Sequence, residues 1–277
     1  MRTKGSYPLA HYGSEGSRFE SLRAHQLYKS GGKLNFKTFS KRFKRKTKKL
    51  TKSFFLPFIR KLAPKKFKSI NSLTFYHFLL WSELNHINRT GLTIALHLLR
   101  KKPAVIVETG TSAWGTDSTR LWDSYVKSFG GKLFSVDIRS EPREMLGNLG
   151  PLSLLFVDDS LNFLNNFNQY CQSTIDLVYL DSFDIDWKNP FPAMEHGLGE
   201  FESVEKYLKI GSVVVIDDTP VDLSFIPESE SNLANSIKTN LGVYPGKGAL
   251  VLAKIKLQPD KYRIIYHNYN LVFEILD

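Results

Sequence analysis

Five short apolar runs in the middle of the chain each lead into a carboxylate. Ala104–Val107 runs into Glu108, Leu133–Val136 into Asp137, and Leu152–Val157 into Asp158-Asp159. Asp176–Leu180 runs into Asp181, and Ser212–Ile216 into Asp217-Asp218. One acid in such a place means little, but five in succession form a pattern. Ionised carboxylates only accept hydrogen bonds, so they suit ligand hydroxyls and hard cations. After the first run comes the turn Glu108-Thr109-Gly110-Thr111-Ser112, with Gly115 and Ser118 behind it. A glycine there lets the backbone approach a ligand, and the helix that follows offers free N–H groups to an anion. The dinucleotide fingerprint G-x-G-x-x-G fits poorly, because Ser112 stands where its second glycine is required. His196 and Glu200 are four residues apart on one helix face, opposite its apolar stripe,. A neutral histidine is a suitable base near pH 7, although a lone histidine is also often structural or simply exposed. Pro245-Gly246-Lys247-Gly248 lacks the Gly-Lys-Ser/Thr order of a phosphate loop and reads equally as a closing loop or a plain turn,. Trp114 and Trp187 fall in predicted loops, where each could stack on a ring or merely cover the sheet edge,.

Positioning these residues requires strands and helices in alternation. Helices are predicted over Phe75–Leu84 and Leu92–Arg100, separated by Asn88-Arg89-Thr90-Gly91, with Pro103 ending the second,. Further helices are predicted over Asp117–Phe129, stopped by Gly130-Gly131, over Leu161–Tyr170, and over Pro192–Leu208, capped by Gly211,. Continuous apolar runs alternating with helices indicate a parallel sheet buried on both faces. Ala249–Ala253 is too short for its periodicity to choose between strand and helix. Arg263–Tyr266 and Leu271–Ile275 read as a hairpin across His267-Asn268-Tyr269-Asn270,. The expected fold is α/β: a doubly wound, Rossmann-like, mostly parallel sheet with a C-terminal antiparallel hairpin and a basic helical N-terminal extension. In such sheets the ligand lies beyond the carboxyl ends of the strands, where the acids converge.

The order and spacing of Glu108-Thr109-Gly110-Thr111-Ser112, Phe134-Ser135-Val136-Asp137, Val157-Asp158-Asp159-Ser160 and Asp176–Asp181 resemble the successive motifs of class I S-adenosylmethionine-dependent methyltransferases. The resemblance covers roughly Pro103 to Asp277. It implies that Glu108, Thr109, Gly110, Thr111, Ser112 and Ser118 hold the methionine part of S-adenosylmethionine. It implies that Asp137 accepts from the ribose hydroxyls and that Asp159 and Ser160 lie near the adenine. A helix N-cap is the alternative for Asp137 and for Ser160.

Strands four and five are neighbours in that family, so Asp181, Asp217 and Asp218 would cluster. Clustered carboxylates repel unless protonated or bound to a cation. The arrangement is similar to that of metal-dependent small-molecule O-methyltransferases of the catechol and macrolide-sugar types. The resemblance implies Mg²⁺ on these acids, fixing a substrate hydroxyl and lowering its pKa. The alternative is one capping and two solvated acids. For the general base, Asp184 and His196 are the candidates. Phe183 stands where the macrolide-sugar enzymes keep their base, and Asp184 stands where the catechol type has lysine.

The chain has 277 residues, a net charge of +11 and a single cysteine, Cys171. With one cysteine there is no intrachain disulfide, which fits a reducing, cytoplasmic setting. No apolar run approaches the roughly 20 residues that span a bilayer, and residues 1–32 contain no secretory apolar segment. The charge is uneven: residues 1–70 hold 20 Lys/Arg and two acids, whereas the remainder holds 18 Lys/Arg and 25 acids. The expected organisation is a basic extension over residues 1–69 and an α/β domain over 70–277. Within residues 33–68, Phe36, Phe39 and Phe43 line one side of a basic amphipathic helix,. Such a helix docks on the protein's own body, on an anionic membrane surface, or, with less support, on nucleic acid. The leading expectation is O-methylation of a small-molecule or sugar/glycolipid hydroxyl. The alternatives are an RNA methyltransferase docked by its arm and a non-catalytic, membrane-associated binding protein.

Overall fold

The computed structural model describes residues 64–112, 115–147 and 149–277. Trp114 and the basic segment up to residue 63, with its expected amphipathic helix, lie outside them. Among the described residues no helix is long and apolar enough to cross a membrane.

A helical hairpin, α1 (Ile70–Leu80) and α2 (Arg89–Leu98), precedes the sheet. Then come β1 (Ala104–Thr109), α3 (Ser118–Phe129), β2 (Gly131–Asp137), α4 (Glu141–Leu146), β3 (Ser153–Val157) and α5 (Ser160–Asn165). They are followed by β4 (Ile175–Leu180), α6 (Phe191–Glu205), β5 (Leu208–Ile216), α7 (Ser231–Leu241), α8 (Ala249–Lys256), β6 (Tyr262–His267) and β7 (Leu271–Ile275). The strand order is β3-β2-β1-β4-β5-β7-β6. The first five strands run parallel, and β7 is antiparallel to both β5 and β6. The chain winds outward from β1 to β3 and then returns to place β4 on the other side of β1. In open α/β sheets a reversal of this kind, here between β1 and β4, marks the edge where ligands bind,.

Strand periodicity divides the core into two layers. Val107, Phe134, Val136, Val178, Val214 and Ile216 pack with α5, α6, α7 and α8. Their alternates Ile106, Leu133, Leu177, Tyr179, Val213 and Val215 pack with α1, α2 and α3. Both faces of the central strands are therefore apolar, which is why they read as unbroken hydrophobic runs.

Several boundaries differ from the sequence reading. The first helix starts at Ile70 because Ser69 caps it, its hydroxyl accepting from the Ser72 N–H at 3.2 Å. Asn88-Arg89-Thr90-Gly91 opens the second helix rather than breaking the pattern. Gly91 fits there because a Cβ would lie 2.1 Å from Asn270 Oδ1. The predicted helix over Leu161–Tyr170 is two pieces, α5 and a 3₁₀ turn at Phe167–Gln169. The long helix α6 ends at Glu205, and Gly211 lies inside β5 rather than capping it. Ala249–Ala253 is helical, and α4 and α7, polar and irregular in pattern, escaped the reading altogether.

The C-terminal hairpin is welded to the rest by aromatic packing. Phe273 is fully buried, with its ring 5.5 Å from Phe201 on α6 and 5.9 Å from Tyr262. Phe273→Ala should lower the unfolding free energy in urea by about 3–5 kcal/mol. Ile210→Ala, at a position 70% exposed, should change it by less than about 0.5 kcal/mol,.

Candidate active site at the carboxyl edge of the sheet

Glu108, one residue before the end of β1, has no exposure to water. Its carboxylate accepts from Ser118 Oγ at 2.6 Å, Thr119 Oγ1 at 2.6 Å, Ser135 Oγ at 2.6 Å and Trp122 Nε1 at 3.1 Å. It thus joins the end of β1 to the start of α3 and to β2. Thr109 Oγ1 accepts from the Asp181 N–H at 3.2 Å, and Thr111 Oγ1 meets Ser135 Oγ at 2.8 Å. The side chains of Glu108, Thr109, Thr111 and Ser118 are therefore engaged within the protein. The turn's backbone is held as well, the Gly110 N–H donating to the Val136 carbonyl at 2.9 Å and the Ser112 N–H to Thr119 Oγ1 at 2.7 Å. Gly110, at φ +81°, is pressed so close to β4 that a Cβ would lie 2.2 Å from the Asp181 carbonyl oxygen. Ser112 takes a left-handed φ of 57° without being glycine, and strain of this kind gathers at functional sites,.

Asp137 ends β2. Its Oδ1 accepts from the Arg139 N–H at 2.8 Å, and the Arg139 guanidinium grips both oxygens at 3.0 and 3.1 Å. It caps no helix, since α4 begins at Glu141. Asp159 is the cap of α5, accepting from the Asn162 N–H at 3.0 Å, so the cap sits one residue before Ser160. Ser160 instead turns its hydroxyl to His196 Nε2 at 3.1 Å. The same nitrogen lies 3.0 Å from Ser182 Oγ and 3.5 Å from Glu200 Oε1, and Ser182 donates to Glu200 at 2.6 Å. His196 is therefore neither lone nor superficial. The face it shares with Glu200 is buried, with Glu200 only 2% exposed. Hydrogen bonding to Glu200 raises the His196 pKa above the ordinary histidine value against the effect of burial. Asp184, the other candidate base, is exposed, and its charge is felt by Arg139.

Asp181, Asp217 and Asp218 come together, as the sequence implied, but not around a vacant centre. Lys247, 4% exposed, places its ammonium against Asp181 Oδ1 and 3.0 Å from Asp218 Oδ2. Tyr179 donates to Asp217 Oδ2 at 2.7 Å and lies 3.2 Å from Asp181 Oδ2. Asn88 also donates to Asp217 Oδ2, at 2.6 Å, and the Asp218 N–H donates to Asp217 Oδ1 at 2.9 Å. Tyr269 donates to Asp218 Oδ1 at 2.5 Å. Every one of the six oxygens has a protein donor within reach. Burial, with the charge of Asp218, pushes the Asp217 carboxyl up to about 6. Burial opposes charge on Lys247 too, but Asp181, Asp218 and Asp217 outweigh it and hold the ammonium well above the lysine norm. Among the described residues no group of three or more His, Cys, Asp or Glu side chains could hold a metal ion. The expected Mg²⁺ site does not fit this donor set, because the cation's place is taken by a side chain. The only hint in the sequence was a lysine between two glycines.

The α1–α2 hairpin closes the site from the other side. His77 Nε2 meets the Thr116 carbonyl at 2.7 Å, Ser82 donates to the Gly115 carbonyl, and Asn88 donates to Thr116 Oγ1 at 3.4 Å as well as to Asp217. Burial drives the His77 pKa down to about 4. The ring is therefore neutral, and since a carbonyl only accepts, it carries its proton on Nε2. Sequence periodicity could not assign these contacts, because they join residues 28 to 129 positions apart.

No protein-family model matches the chain, and no curated protein matches it. Solved structures do share its fold. The MycE methyltransferase of the mycinamycin biosynthetic pathway, in complex with Mg and SAH, superposes with a TM-score of 0.51 at 15% identity, over 76% of this chain and 56% of that one. Its complex with Mg, SAH and mycinamycin VI gives 0.50 at 16% identity, over 75% and 54%. The chain spans little more than half the length of that protein. The O-methyltransferase TomG from Streptomyces achromogenes, in complex with SAM, gives 0.46 at 13% identity, over 79% and 95%. The architecture is the Rossmann-like one of class I methyltransferases, a mostly parallel sheet closed by an antiparallel C-terminal hairpin.

Burial raises the Glu108 carboxyl from its ordinary 4.5 to about 7, against the pull of Ser118, Ser135 and Thr119. Folding therefore takes up a proton between those pH values. The contribution of this group is complete below pH 4.5 and is lost as the pH rises through 7, on the order of 3 kcal/mol in all,. Urea unfolding at pH 5 and pH 8 should show a larger loss in the wild type than in Glu108→Gln, which keeps the loss that comes from Asp217,.

Proposed function

We propose that the chain transfers a methyl group from S-adenosylmethionine to a hydroxyl oxygen of a small-molecule or sugar acceptor. The observation that carries this reading is one edge of the sheet. There the Gly110 turn, the Asp137 carboxylate on the next strand and the His196–Glu200 pair, joined to Ser182 beside that turn, share the carboxyl ends of β1, β2 and β4. Gly110 lets the end of β1 lie directly against the Asp181 carbonyl, where a Cβ would come within 2.2 Å, and so sets the turn at the carboxyl edge beside Ser182,. The MycE structures of this fold hold SAH and Mg.

The turn at Gly110 to Ser112 would hold the methionine end, and Asp137 would take the ribose hydroxyls, with Arg139 giving way because its side chain is 59% exposed. When bound, S-adenosylmethionine supplies a methyl group activated by a sulfonium. His196, in its neutral form, takes the proton of the acceptor hydroxyl on Nδ1, because Nε2 carries the proton that faces Ser182 and Glu200,. Glu200 then steadies the imidazolium, as the acid of a histidine–acid pair does. The oxygen freed of its proton would then be the nucleophile for that methyl group, the carbon–sulfur bond breaking as the carbon–oxygen bond forms.

Calorimetry with S-adenosylmethionine and S-adenosylhomocysteine is the direct test. Binding in the micromolar range should weaken at least about tenfold in Asp137→Ala. No heat from either compound would sink the reading. With a labelled methyl donor and a panel of sugar and phenol acceptors, turnover should rise with pH to a midpoint above 6.5, because the base must be neutral,. In Glu200→Gln that midpoint should move down.

A further inference from the structure

Lys247 is carried into the acidic cluster by a loop that only glycine can make. A Cβ at Gly246 would lie 2.3 Å from the Asp218 carbonyl oxygen, and one at Gly248 would lie 2.5 Å from Thr219 Oγ1. From the opposite side, a Cβ at Gly197 on α6 would lie 2.2 Å from the Lys247 carbonyl oxygen. The loop is thus clamped between the exit of β5 and the face of α6. Two hydrogen bonds fix its depth, from the Lys247 N–H to the Asp218 carbonyl at 2.9 Å and from the Gly248 N–H to Thr219 Oγ1 at 3.1 Å. Asp218 bends to meet it with a left-handed φ of 41°. A buried ammonium is costly unless paired, and this one is paired twice, with Asp181 and Asp218,.

We propose that Lys247 is the resident cation of this site: it does the neutralising work of a divalent ion, so the site operates without metal, and its third N–H binds the acceptor oxygen. Asp181 and Asp218 use two of its three N–H groups, and among the described residues no third partner takes the last. An ammonium hydrogen bond to the acceptor favours the oxyanion as the proton leaves, as a Lewis acid would, but without an exchangeable ion. Its side chain is 5% exposed, so the charge acts where water screens it little,. The metal half of the inference stands on Asp181, Lys247 and Asp218 alone, and the acceptor half rests on the methyl-transfer reading.

Mn²⁺ titration of the full chain, followed by electron paramagnetic resonance and competed with Mg²⁺, separates the two halves. The wild type should bind no Mn²⁺ in the micromolar range. Lys247→Ala, which leaves three carboxylates without their cation, should bind it at least about tenfold more tightly than the wild type. Adding Asp218→Asn should abolish that gain. Tight Mn²⁺ binding by the wild type that is lost in Asp218→Asn overturns the proposal, and so does a folded Lys247→Ala with no gain. If Lys247→Ala does not fold, the wild-type titration decides. These results hold even if S-adenosylmethionine fails to bind, which would sink only the methyl-transfer reading. Where turnover is found, chelation with EDTA should leave it unchanged; a tenfold loss restored by Mg²⁺ overturns the proposal.

Discussion

Parallel strands deliver their carboxyl ends to one edge of a sheet, and in this protein each of the five parallel strands delivers an acid there. Like charges brought so close, several of them out of water, would force the edge apart unless each were answered. The local structure of the edge follows from how they are answered. Glu108 is met by three hydroxyls and an indole, Asp137 by Arg139, and Asp158 by the Asn162 amide. Asp217 is met by Tyr179 and Asn88, and Asp181 and Asp218 by Lys247. The turn geometry at Gly110, the buried loop at Lys247 and the docking of the helical hairpin are each the means by which a donor reaches its acid.

The split between what the sequence displayed and what it concealed has the same cause. Strand runs and the acids that end them are local, so Glu108, Asp137, Asp181 and Asp217 could be found by reading along the chain. So could the His196–Glu200 pair, because helical spacing alone puts those two side by side. The donors that answer the acids arrive from elsewhere. Lys247 is 66 residues from Asp181, and Asn88 is 129 from Asp217. No periodicity registers a pairing at that distance. The acids therefore show strand by strand, while Lys247, which completes them, sits in a stretch that reads equally as a closing loop or a plain turn. The helix ends slipped for a related reason: Ser69, Asn88 and Asp159 settle them through individual hydrogen bonds or their absence, which hydrophobic spacing does not record.

Histidine is used in two opposite ways. His77, sealed between α1 and the Thr116 carbonyl, has its proton held in place and its charge suppressed. His196, partly open and backed by Glu200, keeps a proton more readily than free histidine does. The first is a fixture and the second a group able to exchange its proton. Only their surroundings distinguish them, since both lie on helices beside aromatic rings.

The hairpin of α1 and α2 precedes every strand, yet through Asn88 it supplies a donor to the acid that ends β5. The unit that inheritance must keep intact is thus longer than the sheet. A descendant that lost residues 70–98 would uncover the layer of Leu177, Val213 and Val215 and would lose both the seal over Thr116 and one of the groups that hold Asp217. Recombination that shuffled the sheet under a different leading hairpin would need a new amide in the same place. The ancestry of this chain should accordingly be traced through the hairpin and the sheet together.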